Sequence, residues 1–78
     1  MMIKVLLFAQ LQEEIGQSTL FLEANDWTVK QVKEHLQQAY PQATLQASMT
    51  AVNEEYAFND DLVKEGDTIA FLPPVSGG

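Results

Sequence analysis

The sequence predicts an α+β domain in which one main helix packs on one face of a mixed β-sheet. Two apolar runs near the chain ends, residues 3–9 and 68–72, alternate their side chains with both faces largely apolar, as in strands covered on both sides. A single segment, residues 29–40, has clear helical spacing with start and stop signals. The whole chain is 78 residues, the size of one domain, so helix and strands must share one core.

In the first run, Ile3, Val5, Leu7 and Ala9 share one face and Lys4, Leu6 and Phe8 the other. Such a strand is either central or has its second face covered by a partner. Residues 10–15 fit a short helical turn without requiring one, and Gly16 breaks the pattern. Residues 18–23 read as a second strand, with Leu20 and Leu22 opposite Thr19 and Phe21, and the spacing suits an antiparallel hairpin with a long loop.

The helix over 29–40 opens with Thr28 as N-cap and Gln31 as its capping-box partner, and Trp27 and Val32 fit a hydrophobic staple. Val29, Val32, Leu36 and Ala39 or Tyr40 form its apolar stripe, and Pro41 stops it. Residues 42–48 connect onward with Leu45 as a buried anchor. Residues 49–52 are a third strand, Asn53-Glu54-Glu55 a turn without the glycine that hairpins favour, and residues 56–58 a brief return strand. Leu62 and Val63 pin an otherwise polar loop, and Gly66-Asp67 turns into the last strand, where Ile69 and Phe71 lie opposite Ala70 and Leu72. The first and last strands are the most apolar and are expected to pair centrally.

Composition narrows the function. Eleven acids stand against four lysines and no arginine, a net charge of −7, which disfavours nucleic acid and anionic membrane surfaces and suits a basic protein partner. The chain has no cysteine, so it has no disulfide, thiolate nucleophile or thiolate metal ligand, and a reducing, cytoplasmic setting is expected. No leader-like segment opens it and no apolar run approaches a membrane span.

No autonomous catalytic constellation is visible. His35 is the one histidine and, beside Lys33 and Glu34, reads as part of a solvated helix face. The acid pairs Glu13-Glu14, Glu54-Glu55 and Asp60-Asp61 read as solvated charge in loops and turns. No metal site and no phosphate loop are expected, so the chain is not expected to bind ATP or any cofactor itself.

The terminus is the remaining chemistry. Gly77-Gly78 follows Pro73-Pro74-Val75-Ser76, and paired prolines hold a chain extended. Six residues at about 3.1–3.5 Å each reach about 20 Å, enough to carry a carboxylate into another protein's active site. Glycines let the backbone pass where a Cβ would collide. The plain alternative is an ordinary frayed end. Leu6, Phe8 and one face of residues 68–72, with Phe71 as its aromatic, are the candidate docking patch, core burial being the other reading.

Val52-Asn53-Glu54-Glu55-Tyr56, Gly66-Asp67 and above all Phe71-Leu72-Pro73-Pro74-Val75-Ser76-Gly77-Gly78 closely resemble the small-subunit family of molybdopterin synthase, also called the MoaD family or molybdopterin converting factor subunit 1. The resemblance spans essentially the whole chain. It implies a ubiquitin-like β-grasp fold and a sulfur-carrier subunit of a heterotetrameric synthase. It implies that an E1-like activating enzyme uses ATP to adenylate Gly78 and that a sulfur donor protein converts it to a thiocarboxylate. The tail would then enter the large synthase subunit, with Leu72, Pro73, Pro74, Val75 and Ser76 as inserted stalk and Gly77 as the slim penultimate residue. There, sulfur would pass to cyclic pyranopterin monophosphate. Two other readings stand beside it: a sulfur carrier for thiazole biosynthesis, whose Gly-Gly end typically lacks the Pro-Pro stalk, and a ubiquitin-like modifier conjugated through Gly78.

Overall fold

The structure, a computed structural model, describes residues 2–24 and 26–73. Its elements are β1 (Met2–Leu7), α1 (Gln10–Ile15), β2 (Thr19–Glu23), β3 (Trp27–Thr28), α2 (Val29–Ala39), a 3₁₀ turn (Leu45–Ala47), β4 (Met49–Val52), β5 (Glu55–Tyr56), β6 (Leu62–Val63) and β7 (Thr68–Leu72). Five strands form one sheet in the order β2-β1-β7-β4-β5, and β3 pairs with β6 in a small second sheet. β1 and β7 pair at the centre, as their two-sided apolar pattern predicts; they run parallel, and β2 is antiparallel to β1. β7 is hydrogen-bonded on both sides, to β1 and to β4.

The core lies between one sheet face and the helices. Ile3, Val5 and Leu7 of β1 and Ile69 and Phe71 of β7 meet Val29, Val32 and Leu36 of α2 and Leu11 and Ile15 of α1. Tyr40, not Ala39, completes the α2 stripe: Tyr40 packs against the core while Ala39 is exposed. Leu45 is fully buried, as expected of the connector's anchor.

The helix start is fully accounted for. Gln31 N–H donates to Thr28 Oγ1 at 3.2 Å and Thr28 N–H donates to Gln31 Oε1 at 2.9 Å, closing the capping box. Val29 and Lys30 N–H donate to the carbonyls of Asp61 and Asn59, so the loop before β6 satisfies donors that a helix N-terminus leaves open. At the other end Gln37 Nε2 reaches the carbonyls of Tyr40, Pro41 and Ala43.

Several expectations are corrected. The first strand ends at Leu7 rather than at residue 9, because Ala9 takes a left-handed φ of 52° and leads into α1. The return strand is Glu55–Tyr56, one residue earlier and shorter than 56–58. Leu62 and Val63 form a strand, with Val63 buried and Leu62 exposed. The acid pairs are not all in loops or solvated. Glu13 and Glu14 lie in α1 and Glu55 in β5. Glu14 Oε1 accepts from the N–H and hydroxyl of Thr44 at 2.9 and 3.1 Å, and Asp61 Oδ2 accepts from the Phe58 N–H.

The Asn53-Glu54 turn joins β4 to β5 with φ of 51° and 71°, the pair of positive values of a type I′ hairpin turn. Its usual glycine is missing, and neighbouring contacts hold it. Asn53 Oδ1 accepts from Thr68 N–H and Asn53 Nδ2 donates to Asp67 Oδ1, both at 3.0 Å. Asp67 Oδ2 accepts from Lys64 N–H at 2.8 Å. These bonds, first the Asn53 amide and then the Lys64 N–H, lower the Asp67 pKa below the ordinary aspartate value. Folding therefore favours the charged carboxylate. Its contribution is complete above the unfolded pKa and is lost as pH falls through the lower folded value. Asp67→Asn is expected to shrink the stability lost between about pH 6 and about pH 3 in urea melts. An unchanged acid limb would remove Asp67 from the account.

Candidate functional site

The sheet face away from the helices carries a groove of about 650 Å³. Its shape follows from strand register. Leu6 on β1 sits beside Ala70 on β7, which sits beside Ala51 on β4, which sits beside Tyr56 on β5. Two alanines at the middle of that row and larger side chains at its ends make a trough. Phe8 and Leu72 border the groove, and Asn53, Glu54 and Thr68 supply its polar part. Phe8 and Tyr56 are 42% and 70% exposed, which is much apolar surface to leave in water.

Leu6, Phe8 and Leu72 line the groove. Phe71 does not: it is 0% exposed on the helix-facing side, so it belongs to the core and not to a docking surface. Both alternating sets of β7 are apolar, so the pattern alone did not decide which set faced out. Ala51, Ala70 and Tyr56 were missed as lining residues. Tyr56 carried a usable signal, since a large aromatic two residues past a tight turn, with Phe58 close behind, has little core to enter.

Leu72 is the last residue of β7 and Pro73 follows it, exposed. The chain thus leaves the sheet from its central strand, beside the groove. Pro74, Val75, Ser76, Gly77 and Gly78 lie outside the described residues. Among the described residues, no group of three or more His, Cys, Asp or Glu could hold a metal ion, and no helix is long and apolar enough to cross a membrane. His35 is exposed, with its ring 5.1 Å from that of Trp27 at 57°. Lys33, read from sequence as solvated, is only 9% exposed.

The ThiS family model matches residues 5–78. The chain belongs to the ThiS family. It is similar to the molybdopterin synthase sulfur carrier subunit of Dictyostelium discoideum, with 41% identity across 96% of this chain and 94% of that protein. A chain of the protein-protein complex of subunits 1 and 2 of molybdopterin-converting factor from Helicobacter pylori is a structural neighbour, 31% identical, with TM-score 0.74 and full coverage of both chains. The small archaeal modifier protein 1 of Methanosarcina acetivorans is another, 28% identical, with TM-score 0.82 over 99% of this chain and 96% of that one. The fold of this ThiS-family chain is the ubiquitin-like β-grasp, as the resemblance implied.

Proposed function

We propose that this chain is the sulfur-carrier subunit of a molybdopterin synthase, working through a thiocarboxylate at Gly78. The observation that carries the reading is the route of the chain: the central strand β7 delivers Leu72 and Pro73 beside an apolar groove, and a Pro-Val-Ser-Gly-Gly end follows. The 41% identity to a sulfur carrier subunit over nearly the full chain supports it.

The chemistry uses no side chain of this protein. A carboxylate is a poor acyl donor because its oxygen leaves badly. An E1-like activating enzyme joins the Gly78 carboxylate oxygen to the α-phosphorus of ATP and releases pyrophosphate. The sulfur supplied by a donor protein then takes the place of AMP at the carbonyl carbon, leaving a thiocarboxylate. In the large synthase subunit that sulfur passes to cyclic pyranopterin monophosphate and Gly78 returns as a carboxylate, so two rounds supply a dithiolene. Glycine at both final positions keeps the acyl carbon open to each attack. The groove gives the large subunit an apolar seat, and the net charge of −7 favours basic rims on its partners.

Incubation with the activating enzyme, ATP and a sulfur source is expected to raise the intact mass by the difference between sulfur and oxygen, localised to Gly78. An unchanged mass under conditions that load a known carrier would count decisively against the reading. Phe8→Glu is expected to leave the melting midpoint nearly unchanged and to weaken large-subunit binding at least about tenfold, since a buried charge opposes an apolar contact. Unaltered affinity in calorimetry would move the docking surface elsewhere.

The likeness to a small archaeal modifier protein favours one second reading, conjugation of Gly78 to lysines of target proteins. It shares the adenylation step and differs in product. A ladder of isopeptide conjugates on denaturing blots supports it, whereas a single free species supports the carrier. Complementation of strains lacking molybdopterin or thiazole synthesis separates the two sulfur-carrier pathways.

A further inference from the structure

Tyr56 borders a second cavity, of about 300 Å³, formed where α2, β4 and residues 57–59 meet. Three polar side chains in its wall, Lys33, Ser48 and Thr50, are more than nine-tenths buried, and the Ser48 hydroxyl is already committed to the Leu45 carbonyl. Lys33 is 9% exposed, and its Nζ donates to Asn59 Oδ1 at 3.4 Å, long for a bond from an ammonium. That is its one hydrogen bond among the described residues, although an ammonium has three donors. Thr50 is 5% exposed, and its Oγ1 has no partner among the described residues. A buried hydroxyl without a partner is uncommon and costly, and the Lys33 ammonium, partly buried beside it, has no counter-ion among the described residues. Burial alone pushes the Lys33 pKa down, consistent with a charge that lacks compensation.

Each of the unused groups can donate. Lys33 has two N–H bonds to give, Thr50 has its hydroxyl, and Asn59 has its NH₂ once its oxygen is committed to Lys33. A donor-rich wall with a cationic base suits an oxyanion. The cavity is larger than one water, and its border includes Tyr56 and Phe58, which are 70% and 79% exposed. We propose that this cavity binds a small organic oxyanion, a carboxylate or phosphate group held by Lys33, Thr50 and Asn59, with the attached apolar or ring-bearing body against Tyr56 and Phe58. The site is separate from the carboxy-terminal chemistry and does not depend on it. The chain's overall negative charge opposes anion approach only weakly at physiological salt, where exposed charges beyond about 8 Å are screened.

Phenyl phosphate is a direct probe, with sodium chloride at equal ionic strength and phenol as controls. Amide resonances of Thr50, Ala57 and Asn59 are expected to shift saturably with phenyl phosphate and not with either control. Lys33→Met, which keeps side-chain length and removes the charge, is expected to weaken binding at least about tenfold, and Thr50→Val severalfold. Bound anion should also raise the Lys33 pKa, read from its ¹³Cε shift. Absence of saturable shifts, equal shifts with chloride, or equal affinity in Lys33→Met overturns the proposal. Thr50→Val serves as the deciding variant if Lys33→Met fails to give a native spectrum.

Discussion

Deletion of Gly78 is expected to abolish sulfur loading while leaving the fold as it is. The shortened chain still ends in a glycine carboxylate, on Gly77, so the chemistry of the end group is conserved and only its reach changes. One residue of extended chain is about 3.3–3.6 Å. Displacement of a reacting atom by about 1 Å can cost about a hundredfold in rate, so a loss of more than three times that length removes the end from the active site. The core is built from residues 3–71, and the thermal midpoint should therefore match wild type. Intact mass after activation reads loading, and the amide spectrum reads the fold. Loading retained at Gly77 would sink the terminal mechanism. Loss of loading together with loss of the native spectrum would show instead that the tail supports the domain.

Much of this fold was legible because its main elements obey one period each. β4 and β7 have the boundaries expected from sequence, and α2 carries the expected cap. What escaped is instructive. The β3–β6 pair has two residues per strand, too few for alternation to register, and it exists because the loop carbonyls of Asn59 and Asp61 are tied to the first turn of α2. Lys33 reads as part of a solvated face with Glu34 and His35, yet residues 57–59 fold over its side of the helix. The turn at Asn53-Glu54 lacks its glycine signal because its compensation is remote, in Asp67 and Thr68. Local rules recovered local structure, and failed where a partner far along the chain changed the outcome. The candidate site divides the same way. The terminal motif is contiguous and could be read directly, whereas the trough is a product of cross-strand register among four strands.

The face assignment of β7 is the point at which fold and function meet, and Phe71→Ala against Leu72→Ala tests it. Phe71 is fully buried, beside Leu7 and Thr50 on the neighbouring strands, in a strand paired on both sides. Truncating a buried phenylalanine to alanine costs about 3–5 kcal/mol. A chain of this size has about 4–12 kcal/mol in total, so Phe71→Ala is expected to bring the urea midpoint close to zero or to leave the protein unfolded. Leu72 lies on the opposite face, half-buried at the groove, and its truncation should cost about 1 kcal/mol or less in stability while weakening large-subunit binding. Adjacent residues of one strand thus report on different properties, since a register shift of one would exchange their faces. If Leu72→Ala proves the more destabilising of the two, the groove is lined by the wrong set of side chains and the tail leaves the sheet with its apolar seat on the other side.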